Sequence, residues 1–279
     1  MPELPEVETV VRGLNDTVAS KTISKVSTAN AHPSTITISS HLADQGFENS
    51  LKNKKIINIS RRGKNILFNL SGKLTLWAHL KMTGHFFYLD KQERTGKHDL
   101  VIFEFRSDKK SLRFNDYRRF GRLRLYYTDE LYEQKGMKEL GPEPLEISAL
   151  DFVSLFKNRS RMVKSALLDQ SFIVGVGNIY ADEVLHACKI HPCRQSSKLS
   201  TKKLTELHGS IQKTLKMAIR KMGSSVDSFS GINGKPGSYQ KYLQAYNNEG
   251  GPCQFCGRKI KRMKIGGRSA HFCPSCQRI

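Results

Sequence analysis

Residues 55–89 read KIINISRRGKNILFNLSGKLTLWAHLKMTGHFFYL. Four runs of alternating or continuous apolar residues, KIINISRR, NILFNL, KLTLWAHL and GHFFYL, are parted by the turn-rich pieces RRGK, SGK and MTG. Short β-branched and aromatic runs bounded in this way predict strands joined by tight turns. DLVIFEF (99–105), SLRFND (111–116) and GRLRLYY (121–127) continue the pattern past the turn piece RSDKKS. Six to eight strands in succession imply a β-sandwich or barrel.

Upstream lies MPELPEVETVVRGL, residues 1–14. Val7, Val10, Val11 and Leu14 fall at i, i+3, i+4 and i+7, one buried helical face, while Pro5, Glu6 and Glu8 suit a first turn. The terminus is therefore expected to be pinned. Downstream, the stretch 132–145 ends in GPEPL and breaks the strand pattern. Helical segments follow: SALDFVSLFKN, SRMVKSALLDQ, NIYADEVLHACKI, and a long helix with Leu204, Leu207, Ile211, Leu215 and Ile219 on one face and Ser200 as its N-cap. A Ser- and Gly-rich stretch, 223–238, reads as a mobile loop of functional length. The expected layout is α+β: a helix-capped β-sandwich over 1–131, a linker over 132–148, a helical domain over 149–240 and a terminal module over 241–279.

With 46 Lys and Arg against 25 Asp and Glu, the 279-residue chain carries a formal charge of +21. Such a field attracts polyanions, and nucleic acid is the expected partner. No apolar run reaches the roughly 20 residues of a spanning helix, and the first fourteen residues lack the apolar core of a signal peptide, so a cytosolic protein is expected. Cys253, Cys256, Cys273 and Cys276 form two Cys-x2-Cys pairs around a 16-residue gap, the spacing of one tetrahedral zinc ion. Four thiolates leave no open coordination position, so the ion is structural, and it can contribute on the order of 10 kcal/mol to so small a module. Between Cys253 and the end of the sequence, Arg258, Lys259, Lys261, Arg262, Lys264, Arg268 and Arg278 face no acidic residue and read as phosphate contacts. Cys188 and Cys193, near His186 and His191, lack a converging ligand pattern and read as a buried helix-end thiol and a loop thiol.

Methionine ahead of proline is usually removed, which would leave Pro2 a secondary amine with a pKa of roughly 8, partly unprotonated at neutral pH. Such an amine attacks electrophilic sugar carbons, and Glu3 and Glu6 lie within a turn as acid–base groups. On the residues alone, the same group reads more readily as an ordinary helix start.

The opening MPELPEVETVVRGL resembles that of the formamidopyrimidine-DNA glycosylases, bacterial base-excision enzymes for oxidised purines. The resemblance continues in order through RRGKNILF, HLKMTG, GKHDLVIFEF, NDYRRFG, LGPEPL, VKSALLDQ, GVGNIYADEVL, IHP and GGRSAHFCPSCQ. It implies a helix-capped β-sandwich, then a helix-two-turns-helix domain ending in a β-hairpin zinc finger, with damaged double-stranded DNA in the cleft between them and a monomeric protein in the bacterial cytosol or nucleoid. The resemblance also implies roles. Pro2 is the nucleophile that forms a Schiff base, Glu3 the acid–base group that opens the sugar ring, and Glu6 a helper in the pocket. Lys64 binds phosphate and donates a proton in the first elimination, and Arg268 grips the phosphates and assists the second. Met82, Arg118 and Phe120 form the wedge that fills the hole left by the flipped base. His98, Arg159, Lys164 and Asn178 hold the DNA backbone, and loop 223–238 covers the lesion. Two other readings are a glycosylase of the endonuclease-VIII kind for oxidised pyrimidines and a non-catalytic DNA-binding relative.

Overall fold

The computed structural model describes every residue except 29, 157–159, 227–228 and 233. The chain divides into two compact units, residues 1–138 with 222–237, and residues 139–221 with 238–279.

The first unit opens with α1 (Leu4–Val18) and continues through β1 (Ile23–Ser27), β2 (Ile36–Ile38), α2 (Gly46–Leu51), β3 (Ile56–Arg62), β4 (Asn65–Leu70), β5 (Leu74–His79), β6 (Gly84–Asp90), β7 (Asp99–Phe105), β8 (Lys110–Asp116), β9 (Arg122–Tyr127), α3 (Thr128–Glu133) and α4 (Lys135–Lys138). The strands form two sheets, ordered β1-β7-β8-β6 and β2-β9-β5-β4-β3. All pairings are antiparallel except β2 with β9. One contiguous core joins the two sheets: Phe68, Leu76 and Leu125 from one and Phe86, Phe103 and Phe114 from the other, with Val7, Val10, Val11 and Leu14 of α1 packed into it. The apolar spacing of residues 7–14 thus does what its period implies: the stripe is buried and Glu8 and Arg12 pair on the other side.

Three features differ from expectation. β1 and β2 were not legible, because β1 is half polar and β2 is three residues long, held by parallel pairing to β9 that no local pattern encodes. The stretch 132–148, expected as linker, opens with the end of α3 and with α4. The described part of loop 223–238 is not loose: Phe229 and Ile232 enter the core of the first unit, with Ile232 against Gly13 of α1. It therefore groups with the sandwich, because apolar burial outweighs chain order.

The second unit contains α5 (Ala149–Phe156), α6 (Val163–Leu168), α7 (Asn178–Ala187) and α8 (Thr201–Arg220), then the hairpin β10 (Lys261–Ile265) and β11 (Arg268–Phe272). Ser200 caps α8 through its hydroxyl, which accepts from Lys203 N at 3.2 Å. Leu204, Leu207, Ile211 and Leu215 are buried along its inner face.

Leu14 is fully buried at the junction of α1 and the sandwich. Leu14→Ala is expected to lower unfolding stability by about 3 kcal/mol through lost burial and the cavity left behind, measured as a shift in urea midpoint at unchanged slope.

Candidate functional site

At the chain start, Glu3 and Glu6 are both buried. They form a reciprocal capping box, in which Glu6 Oε2 accepts from Glu3 N at 2.8 Å. The other oxygen, Oε1, accepts from Ser224 N at 2.7 Å, so one carboxylate ties the start of α1 to the segment after Lys221. Gly223 turns there at φ +77°, and a Cβ on it would stand 2.7 Å from Glu6 Oε1. Only glycine fits. Glu6, expected as a pocket helper, joins the chain start to the segment at Ser224.

Lys64 is buried in the β3–β4 turn. Arg61 shapes that turn by donating to Gly63 O at 3.1 Å, and Asn65 does so by donating to Arg62 O at 2.9 Å while accepting from Trp77 Nε1 at 2.8 Å. Arg61 also meets Glu8 of α1 at 3.0 Å. Burial pushes the Glu8 carboxyl up, but Arg12 and Arg61 outweigh it and hold it below the usual carboxylate range. His79, at the end of β5, was missed by sequence reading. Burial, followed by the charges of Lys81, Lys64 and Arg124, pushes its imidazole down to about 3. It is neutral at physiological pH. Its Nδ1 accepts from Lys81 N at 2.9 Å, which leaves the proton on Nε2 as a donor. Burial and the charges of Arg124 and Arg122 lower Lys81 as well. Like charges crowded in this way favour an arriving anion.

Met82, Arg118 and Phe120 come together on two adjacent loops. Arg118 Nη1 lies 3.5 Å from Met82 Sδ, and its guanidinium stacks 4.8 Å from the Phe120 ring centroid. Met82 and Phe120 stay 47% and 46% exposed, an apolar projection with no core to fill. Beneath it, the buried Asp116 carboxylate accepts from Thr83 Oγ1, from Arg118 N at 3.1 Å and from Gly121 N at 2.6 Å, joining the two loops. Arg122 closes the other side by donating to the carbonyls of Arg119, Phe120 and Gly121 at 3.1, 2.9 and 2.9 Å. His98 borders the loop: its carbonyl accepts from Asp116 N, and its ring meets Tyr117 edge-on. The brace residues Asp116 and Arg122 were not singled out in sequence, although an Asp opening a six-residue turn is Asx-type chemistry.

In the second unit, Asn178 opens α7, its amide oxygen buried without a hydrogen-bond partner among the described residues. Lys164, expected to hold the DNA backbone, is fully buried and donates to Asp182 Oδ1 and to Ser269 O, both at 2.6 Å. A buried ammonium requires a counter-charge, and here it has one. Asp182 also accepts from His271 N at 3.0 Å and Nδ1 at 2.9 Å. α6 and α7 thereby clamp β11, the strand that begins with the exposed Arg268. Gly266 and Gly267, at φ +54° and +78°, form the two-residue turn that places Arg268 at the hairpin tip. Next to Asp182, Glu183 accepts from the backbone N–H groups of Gln244, Ala245 and Tyr246 at 2.8–2.9 Å. Burial pushes its carboxyl up, those three donors pull it down, and Asp182 adds to the rise. Arg159 lies outside the described residues.

The sulfurs of Cys253, Cys256, Cys273 and Cys276 all lie within 4.8 Å of one another. Four thiolates about 2.3 Å from one tetrahedral zinc ion require such spacing, and the donor set fits. His186 Nε2 lies 3.3 Å from Cys253 Sγ, a contact that orients the thiolate. Cys188 is buried with its thiol toward Glu206 O, and Cys193 Sγ lies 3.9 Å from Met263 Sδ.

A helix-fronted sandwich with a braced chain start, followed by a helical unit carrying a four-cysteine hairpin, defines a zinc-bearing DNA-processing class. Family models match in three consecutive parts: formamidopyrimidine-DNA glycosylase N-terminal domain over residues 1–123, formamidopyrimidine-DNA glycosylase H2TH domain over 140–230, and the zinc finger found in FPG and IleRS over 250–279. The chain belongs to the formamidopyrimidine-DNA glycosylase family. It is 44% identical to the formamidopyrimidine-DNA glycosylase of Pediococcus pentosaceus over 99% of both chains. It is similar to a Lactococcus lactis FPG mutant in complex with DNA containing Fapy-dG (TM-score 0.90, 34% identity, 100% of both chains). It is likewise similar to Lactococcus lactis Fpg on DNA with an abasic site (TM-score 0.89, 33% identity, 99% of this chain and 100% of that one).

Removing zinc with a strong chelator is expected to unfold the hairpin that holds Arg268 and to weaken duplex affinity at least tenfold. Metal analysis should give one zinc per chain; metal-free protein that binds duplex normally would refute the structural role.

Proposed function

We propose that this chain removes oxidised purines, 8-oxoguanine and formamidopyrimidines, from duplex DNA and then cuts the strand at the emptied sugar. Its family and the damaged-DNA complexes of its structural neighbours support glycosylase activity, and lyase activity is typical of the family. The observation that carries the residue roles is the buried brace at the chain start, which holds residue 2 and Glu3 at a fixed entry to α1. With Met1 removed, the Pro2 nitrogen attacks C1′, the C1′–base bond breaks, and the base leaves with a proton. The ring-opened iminium acidifies C2′. Loss of that proton breaks the C3′–O bond, and a second elimination expels the 5′ phosphate. Glu3 exchanges protons with the sugar ring oxygen, Lys64 serves the first elimination and Arg268 the second. No soluble cofactor is required.

The base must first leave the helix, at a cost of a few kcal/mol. Phe120 and Met82 enter the vacated stack, and Arg118 pairs with the orphaned base. His98, Asn178 and Arg159 take the backbone. The neutral His79 offers Nε2–H to a phosphate among Lys64, Lys81 and Arg124. Lys164 acts through the hairpin, by holding the strand of Arg268. The segment 223–238 borders the everted base, and the chain is read as domains 1–131, 149–240 and 241–279 around the linker 132–148, working as a monomer in the bacterial cytosol or nucleoid. No helix among the described residues is long and apolar enough to cross a membrane.

Borohydride reduction during turnover of a lesion duplex is expected to trap a covalent adduct that maps to Pro2. In Pro2→Gly, trapping and strand cutting should fall far more than DNA binding, and an adduct mapped elsewhere would overturn the nucleophile. Asp116→Ala should slow excision from a paired 8-oxoguanine duplex at least tenfold while sparing cutting at a preformed abasic site, which needs less extrusion. Equal losses on both substrates would show that Asp116 does not serve the wedge.

A further inference from the structure

We propose a second phosphate-binding site in the helical unit, where the end of α7, the 188–200 connection and the start of α8 surround a cavity of about 370 Å³. It goes beyond the excision reading and does not depend on it. Five cations line the cavity: Lys189, Arg194, Lys198, Lys203 and Arg278. Lys203 meets Glu206 at 2.8 Å. The other four have no acidic partner within 4.0 Å among the described residues, so the lining is net positive. Its volume falls in the range of small-ligand pockets, and its apolar wall, Ile190 and Leu199, gives the charges no competing partner.

The cations are held by the fold. Arg194 is fixed by backbone bonds on both sides, its N–H to His191 O and its carbonyl from Val163 N, each 2.9 Å. Gln277 donates to Ile190 O at 2.7 Å and accepts from Cys273 N at 2.8 Å, which ties the segment bearing Arg278 to the cavity wall. Lys189 adopts φ +53°, a backbone state that strains a side-chain-bearing residue and not glycine, and its ammonium stands over the Phe255 ring at 4.9 Å. The first turn of the 20-residue α8 adds N–H groups and the positive end of its dipole. Two guanidinium forks with an ammonium and a helix start match the tetrahedral oxygens of phosphate better than a lone carboxylate. Asn178 opens the opposite end of α7, about 15 Å away along ten residues, so this is not the backbone contact already assigned. The phosphates come either from the DNA backbone beyond the lesion or from free polyphosphate.

The test titrates zinc-loaded full-length protein with inorganic pyrophosphate. The pair Arg194→Glu with Lys198→Glu should weaken binding tenfold or more, and Arg194→Gln with Lys198→Gln should weaken it less. Unchanged melting and cutting of a 13-base-pair lesion duplex would show that both variants fold. On a 30-base-pair duplex, a salt dependence shallower by about two in the charge-reversed pair identifies the DNA backbone as the source. An unaltered slope with lost pyrophosphate binding identifies free polyphosphate. If pyrophosphate binds both proteins equally, or neither, and the slope is unaltered, the site does not exist.

Discussion

The organisation of this protein depends on where its few carboxylates go. With 25 acids against 46 bases, the chain cannot neutralise its surface, and among the described residues several acids are buried as receivers of backbone N–H groups. Glu6 takes Glu3 and Ser224; Asp116 takes Arg118 and Gly121; Asp182 takes His271; Glu183 takes three consecutive amides of 244–246. Each fixes a loop or terminus that presents functional groups. Hydrogen bonds from several amides to one buried carboxylate are among the stronger polar contacts a fold can make. Removing any of these acids would strand donors in the interior.

The cations left outside acquire function because those supports are rigid. Arg118 is aligned against Phe120 and Met82 because its own amide is anchored below. Arg268 stands at a tip whose strand is gripped at Ser269 and His271. Lys64, Lys81 and Arg124 crowd around the neutral His79, beside a turn shaped by the Arg61 and Trp77 contacts. A ligand rich in phosphate relieves this stored repulsion without requiring the loops to order on binding.

The sequence was most informative where a period or a spacing is local. The stripe Val7, Val10, Val11 and Leu14, the strand series from Ile56 to Tyr127, the Ser200 cap and the four cysteines each encode their structure within a few residues. Long-range pairing was silent. β2 exists because β9 lies beside it, Lys164 is buried because Asp182 and Ser269 meet it from elsewhere, and His79 is neutral because burial and three cations act on it together. Lys164 was expected to hold the DNA backbone, since nothing adjacent in the chain announces its counter-ion. Motif resemblance supplied the roles of Pro2 and Glu3, which the residues alone left behind an ordinary helix start, and gave Arg268 a role beyond phosphate contact.

The entry of Phe229 and Ile232 into the sandwich makes the first unit discontinuous: its core waits for residues that follow the whole run of helices to Lys221. Glu6 and Ser224 are 218 positions apart. At roughly 5–20 residues per second of synthesis, the front of the molecule remains incomplete for about ten to forty-five seconds after its first helix leaves the ribosome. A fragment ending at residue 138 would lack Phe229 and Ile232 and leave the face of α1 at Gly13 open to water.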